Sequence, residues 1–154
     1  MKSLLVLLLL LSGTFAFSQK ADPWAGNFKL DTAKSKFSGS PAPKEETVAV
    51  DSANKDSVKY TITGTDHDGK TYTISYDGKV GTASPATMDG KEIEQITYQM
   101  PSSHEFTGQA KGSDGSSGTS TVTLSKDGKT ITVREHSKDA KGAVHQQTMV
   151  YDRQ

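Results

Sequence analysis

Residues 122–133, Val-Thr-Leu-Ser-Lys-Asp-Gly-Lys-Thr-Ile-Thr-Val, decide the fold class of this chain. They contain two short runs in which apolar residues alternate with Thr, the pattern of half-buried β-strands. Asp-Gly stands between the runs, and both residues tolerate the positive φ angles of tight hairpin turns. A two-residue turn at Asp127-Gly128 places Leu124 opposite Ile131 and Val122 opposite Val133. The turn and the apolar pattern therefore predict the same hairpin.

The same alternation recurs along the chain, most clearly at 58–63 and 71–76. A three-residue loop at 67–69 would join these two strands and place Ile62 opposite Ile74 and Tyr60 opposite Tyr76. A short helical turn at 31–35 is expected to begin with Asp31 as its cap, and further Asp-Gly turns are expected, including one at 77–78. The weaker strand candidates are 24–30, 45–50, 92–100, 104–110 and 143–151, with a tenth strand near 79–82.

Nine or ten short strands joined mostly by tight turns indicate an all-β protein. The simplest arrangement is one antiparallel up-and-down meander, which has two exposed edges unless it closes on itself. Closure into a single β-barrel removes both edges. The alternative is a two-sheet sandwich, which usually requires longer crossing connections. Only 78–91 and 111–118 are candidates for such connections.

The N-terminus has the pattern of a secretory signal peptide. Lys2 precedes an unbroken apolar run at 4–11, and small residues follow up to Ser18. We expect cleavage after Ser18, with cleavage after Ala16 as the alternative. The run is shorter than the roughly 20 residues that span a bilayer. Residues 1–18 are thus predicted to be a signal peptide and 19–154 one exported domain, periplasmic or extracellular, without a membrane span; an uncleaved anchor is the alternative.

Composition limits the kinds of partner and site that the remaining 136 residues can have after removal of these 18. The whole chain has 18 Lys+Arg, 18 Asp+Glu and no Cys. Balanced charge provides no strong field to attract nucleic acid or anionic lipid. The absence of Cys excludes disulfides, thiol catalysis and thiolate metal sites. We expect a monomer.

No catalytic motif for nucleophilic, metal-dependent or phosphate chemistry is present, so no enzyme and no cofactor are expected. His136 and His145 become cross-strand neighbours if the last hairpin has a four-residue loop at 139–142. Two imidazoles could hold Zn²⁺ or Cu²⁺. A structural zinc site normally has four protein ligands, however, and no third ligand is evident there. Two solvated side chains on the outer face are the expected arrangement, with no metal.

Several segments resemble a known family. Residues 23–31 (PWAGNFKLD), 34–37 (KSKF), 125–133 (SKDGKTITV) and 150–152 (VYD) are similar to uncharacterised secreted bacterial proteins of the lipocalin-like (calycin-like) group. Gly26-Asn27-Phe28 is similar to the first-strand Gly-x-Trp of lipocalins, with Phe in place of Trp. The resemblance covers nearly the whole mature chain and implies a lipocalin-like or fatty-acid-binding-like β-barrel. Its motifs describe strands and turns and imply no chemistry.

A candidate ligand site follows from the side-chain alternation. It places Tyr60, Tyr72, Tyr76 and Tyr98 on the apolar side of their strands, which faces inward in a barrel. With a four-residue last loop, Glu135 faces Gln146, so Gln146 is expected to add a polar group inside. These residues would bind a small amphipathic or hydrophobic molecule.

The alternative is that the same tyrosines fill a solid core. The protein would then be an envelope protein-binding module, such as an inhibitor of a secreted enzyme. An exposed apolar patch would favour that function, whereas a lined cavity favours a ligand.

Overall fold

The computed structural model of the protein describes residues 21–154, which form one eleven-stranded sheet. The predicted signal peptide, residues 1–18, lies outside the described residues. The strands are β1 (Gly26–Leu30), β2 (Lys36–Ser38), β3 (Glu45–Ala53), β4 (Ser57–Thr65), β5 (Thr71–Lys79), β6 (Ser84–Met88), β7 (Lys91–Ser102), β8 (Glu105–Gly112), β9 (Ser117–Leu124), β10 (Thr130–Lys138) and β11 (Val144–Arg153).

Ten of these strands close into an antiparallel barrel. From β3 to β11 each strand pairs with the next one along the chain, and β1 pairs with both β3 and β11. Phe28 illustrates the closure, because it lies opposite Val48 on one side and Arg153 on the other. The predicted single up-and-down barrel is therefore confirmed, and the two-sheet sandwich is excluded.

The eleventh strand, β2, pairs with β11 in the part of the barrel beyond the end of β1. After Leu30 the chain makes the expected turn, in which Asp31 Oδ1 accepts hydrogen bonds from the backbone N–H groups of Ala33 (3.0 Å) and Lys34 (3.1 Å). It then pairs with β11 at Phe37 and Gln147, but β2 does not pair with β3. The ladder of hydrogen bonds around the barrel is consequently interrupted between β2 and β3.

Two predicted hairpins have the expected register. Ile62 lies opposite Ile74 and Tyr60 opposite Tyr76 across the β4–β5 loop, and Leu124 lies opposite Ile131 in the β9–β10 hairpin. The turn type in the second hairpin differs from the prediction. Gly128 has a φ of 70° and its N–H donates to Ser125 O (2.8 Å), whereas Asp127 does not have a positive φ. The loop therefore has four residues, 126–129. It has the same centre as the predicted two-residue turn, so the pairing of β9 with β10 is unchanged.

The tenth strand was predicted at the wrong place. It is β6, not 79–82, where the chain turns. The Asp-Gly pair at 77–78 likewise continues β5, since Asp77 pairs with Lys59 and Gly78 with Val58. An Asp-Gly pair is compatible with a strand as well as a turn, and β6 carries a Pro and little alternation, which hid it from the sequence pattern.

The last hairpin has a loop one residue shorter than predicted. Asp139 pairs with Ala143 through N–H···O=C (2.9 Å), and Asp139 Oδ1 accepts from the Ala143 N–H (2.8 Å), which leaves the loop 140–142. Glu135 therefore lies opposite Gln147, and Gln146 lies opposite His136. A shift of one residue moves every side chain of a strand to the other face. The prediction that Gln146 faces inward is wrong for this reason.

One end of the barrel is filled by an apolar core. Trp24 precedes β1 there, is 2% exposed and packs edge-on against Phe106 at 5.2 Å between ring centroids. Its Nε1–H donates to Ser103 O (3.0 Å), which satisfies the indole while it is buried. The other buried apolar side chains are Phe28, Leu30, Ala53, Val58, Tyr76, Ala86, Ile96, Tyr98, Leu124, Ile131 and Tyr151.

Candidate ligand cavity

The other half of the barrel is hollow. It encloses about 640 Å³, a volume within the range of roughly 300–1,000 Å³ that is typical of small-molecule sites. The cavity extends from the aromatic core to the end of the barrel where Ser40, Pro41, Pro43, His67 and Asp139 lie. This is also the end at which β2 and β3 do not pair, so an interrupted wall adjoins the cavity.

The apolar part of the lining follows from strand alternation. Every second residue of a barrel strand points inward, and in β3 these positions are Val48 and Val50. Further apolar lining residues are Phe37, Ile62, Ile74, Ile96, Ala110, Val122, Val133 and Met149. The inner surface of the cavity is therefore mainly apolar.

Three of the four predicted tyrosines line the cavity, namely Tyr60, Tyr72 and Tyr98. Tyr76 points inward as expected but belongs to the core: it is 2% exposed, and its hydroxyl donates to Ile96 O (3.2 Å). The alternation of side chains along the strand identified the inward face correctly. It does not indicate how far along the barrel axis a side chain lies. The fifth predicted residue, Gln146, is on the outer wall with its amide 3.2 Å from His136 Nδ1.

Tyr60 and Tyr98 form a hydroxyl pair at the boundary between core and cavity. Their Oη atoms are 3.1 Å apart, and their rings meet edge to face at 6.4 Å between centroids. Burial raises the pKa of Tyr98 to about 12, and it also raises the pKa of Tyr60 well above the ordinary tyrosine value. Gly108 lies directly opposite Tyr98, and a Cβ there would come within 2.9 Å of the Tyr98 ring. The glycine therefore makes room for this ring.

A buried carboxylate joins three strands across the place where β1 ends. Glu46 of β3 is 9% exposed, and its two oxygens accept hydrogen bonds from Tyr72 of β5 and from Tyr151 of β11. Burial comes first and the Glu46 charge second in raising the pKa of Tyr151, and both also raise the pKa of Tyr72. Glu46 and Tyr151 were not predicted from the sequence. The one signal for Glu46 is that it lies two residues before Val48, so both side chains point to the same, inward face of β3.

Two further carboxylates face into the cavity, Glu94 from β7 and Glu135 from β10. Within residues 21–154 neither forms an ion pair. Burial raises the pKa of Glu94, and the charge of Glu135 raises it further. The charges of both carboxylates also act on the Tyr98 hydroxyl. The two groups are thus close enough to repel each other inside the barrel.

The two candidate metal-ligating histidines are not cross-strand neighbours. His136 faces Gln146 outside, whereas His145 pairs with Ser137 and lies 3.4 Å from Ser40 Oγ and 3.7 Å from Asp139 Oδ2. The same one-residue difference in the last loop explains the wrong pairing. In the part of the chain that the structure describes, no cluster of three or more His, Asp or Glu side chains is suited to a metal ion.

Comparison with known proteins gives a likeness of fold only. No protein-family model and no curated protein matches the chain. Among solved structures, a de novo designed fluorescence-activating β-barrel is similar, with a TM-score of 0.47 and 14% sequence identity. The match covers 87% of this chain and 96% of that chain. Residues 21–154 contain no helix long and apolar enough to span a bilayer.

Proposed function

We propose that the protein is an exported, lipocalin-like barrel that binds a small amphipathic or hydrophobic molecule in its interior. The observation that carries this proposal is the division of the barrel into a solid end and a hollow end. The core around Trp24 and Phe106 stabilises the fold, while a cavity of about 640 Å³ lies beside it. A protein that only had to fold would gain stability by filling this space.

The outer surface gives less support to a protein-binding role. Among residues 21–154, Val144 is the one large hydrophobic side chain that is strongly exposed, at 55%. An interface for a stable protein partner usually presents a contiguous apolar patch. The inner surface, with apolar walls and a few polar groups, is the better candidate for recognition.

Binding without catalysis fits the chemistry of the lining. The polar groups of the cavity include carboxylates and phenols, and burial raises the pKa of the Tyr60 and Tyr98 hydroxyls. A phenol with a raised pKa is a poor nucleophile at neutral pH, because it stays protonated. We therefore propose a monomeric carrier or binder, and the pattern at 1–18 supports its export.

The single tryptophan provides a direct test. Trp24 lines the cavity at its closed end, so a bound fluorophore lies near it. We expect N-phenyl-1-naphthylamine, a neutral apolar fluorophore, to bind saturably with energy transfer from Trp24. Ala110→Phe, which fills part of the cavity, should abolish the transfer while the sheet spectrum in circular dichroism is retained. Absence of saturable transfer in the unaltered protein would contradict the proposal.

A further inference from the structure

We propose that the ligand of this cavity is an organic amine, a molecule with an apolar body and a protonated nitrogen. This inference rests on the proposed function and specifies the chemical class of its ligand. It follows from the polar groups inside the barrel, which are strongly biased in charge although the chain as a whole is neutral.

The charge bias is visible in the lining. Five carboxylates border the cavity: Glu46, Glu94, Glu135, Asp66 and Asp139. Of the described lining residues, Lys138 is the one with a permanent positive charge, and it is an exposed residue at the end of β10. A carboxylate or phosphate ligand would be repelled by this interior, whereas a cation would be attracted to it.

Glu94 and Glu135 are two carboxylates of the cavity lining whose charges no cationic side chain neutralises among residues 21–154. They face into the cavity from β7 and β10, and within residues 21–154 no Lys, Arg or His pairs with either of them. Two like charges in a partly desolvated space raise the free energy of the folded protein. A bound ammonium would relieve both the repulsion and the desolvation, because it can donate a hydrogen bond to each carboxylate.

Glu46 differs from these two because protein donors already bind it. The hydroxyls of Tyr72 and Tyr151 each donate to one of its oxygens. Its charge is therefore held in place and contributes to the negative field of the cavity. The two unpaired carboxylates, Glu94 and Glu135, are the predicted direct contacts of the amine.

The hydroxyl pair at the cavity floor adds neutral oxygen acceptors to the acidic lining. Tyr98 is 8% exposed, and its hydroxyl shares one hydrogen bond with the hydroxyl of Tyr60. Both side chains line the cavity. A hydroxyl oxygen has two lone pairs, so this pair can also accept a hydrogen bond from a bound ammonium. The two aromatic rings also favour a nearby cation through their faces.

A matched series of probes tests the inference. Octylamine, octanol and octanoate have the same chain and differ in their charge at pH 7. Binding is followed by Trp24 fluorescence and by calorimetry at low ionic strength. We expect octylamine to bind at least roughly tenfold more tightly than octanoate, with octanol between them, because one charge-assisted hydrogen bond is worth about a factor of ten.

Substitutions assign the preference to named residues. Glu94→Gln/Glu135→Gln should remove the preference for octylamine, while the sheet spectrum is retained because no buried pair is broken. Glu45→Gln/Glu92→Gln changes the net charge equally at two exposed positions outside the cavity and should keep the preference. Loss of the preference in this control as well would overturn the assignment to the cavity.

The outcomes separate this inference from the proposed function. If all three probes bind equally, or octanoate binds best, the amine inference is wrong and the carrier function stands. If no probe and no neutral fluorophore binds, both are wrong. If octylamine is preferred and only the Glu94→Gln/Glu135→Gln protein loses that preference, the inference is supported.

Discussion

The hydroxyl of Tyr151 donates a hydrogen bond of 2.5 Å to Oε1 of Glu46, and this contact joins residues that are 105 positions apart. It connects the last strand of the barrel to β3 at the level of Leu30, the last residue of β1, which lies opposite Tyr151. Tyr72 donates to the other oxygen of the same carboxylate. The three side chains therefore join β3, β5 and β11 beside the point where β1 ends.

Removal of the Tyr151 hydroxyl should destabilise the barrel. Tyr151→Phe leaves the buried Glu46 with one side-chain donor, and hydrogen bonds to charged groups contribute about 1.5–3 kcal/mol. Tyr60→Phe is the matched control, because it removes a bond between two neutral hydroxyls and should lower the free energy of unfolding by only about 0.5–1.5 kcal/mol. Urea unfolding measures both values; an equal loss in the two variants would contradict the role of Glu46.

Neutralisation of Glu94 should stabilise the protein at pH 7. Folding raises the pKa of Glu94 through burial and through the charge of Glu135, so the folded state binds this proton more tightly than the unfolded state. The resulting contribution favours folding below the ordinary pKa of 4.5 and is lost as the pH rises through the raised value. Glu94→Gln should therefore increase the thermal midpoint at pH 7.

The pH dependence provides the control for this effect. The advantage of Glu94→Gln should disappear below about pH 4.5, where Glu94 is protonated in both states. Glu92→Gln, an exposed change on the same strand, should not produce the pH 7 gain. A midpoint for Glu94→Gln that is unchanged at pH 7 would mean that Glu94 is not destabilised in the cavity.

The β9–β10 turn depends on the conformation of Gly128. Its φ is 70°, and no atom lies within 4 Å of the place where a Cβ would stand, so backbone strain alone penalises a side chain. Gly128→Val should lower the free energy of unfolding by about 1–2 kcal/mol, because a β-branched residue is strained there. Gly128→Asn should lose less, since Asn tolerates this region. Equal urea midpoints for the two variants would contradict the assigned turn.

The division into solid and hollow halves can be tested with two alanines on inward positions. Ala86 is fully buried in the core, whereas Ala110 lines the cavity. Ala86→Phe should lower the free energy of unfolding by about 1–3 kcal/mol or more through overpacking. Ala110→Phe has space and should change it by less than about 1 kcal/mol. A large loss for Ala110→Phe in urea unfolding would indicate that the cavity is filled in solution.

The fold could be predicted largely from hairpins in which turn chemistry and apolar parity agree. Ile62 opposite Ile74 and Leu124 opposite Ile131 are such cases. The last hairpin could not be fixed in this way, because a three-residue and a four-residue loop near Asp139 both fit the sequence. That single residue decided whether Gln146 or Gln147 faces inward, and therefore which polar group joins the cavity.

The site could be predicted only in part. The alternation of side chains identifies which face of a strand a residue is on, but not its position along the barrel axis. Tyr60 and Tyr76 share one inward face, yet Tyr60 lines the cavity and Tyr76 lies in the core. Glu46 and Glu94 occupy inward-facing positions of their strands, but a Glu on a β-strand is usually expected to be solvated. Only the closed structure shows that Tyr72 and Tyr151 converge on Glu46 from two other strands.

Native mass spectrometry of the protein purified from its own host tests the central claim, occupancy of the cavity by a small molecule, most directly. The account predicts a discrete added mass on the folded protein that dissociates on activation. The Ala110→Phe protein from the same host should fold and lack that mass. A folded, unaltered protein with no added mass, which also fails to take up octylamine or N-phenyl-1-naphthylamine, would contradict the claim.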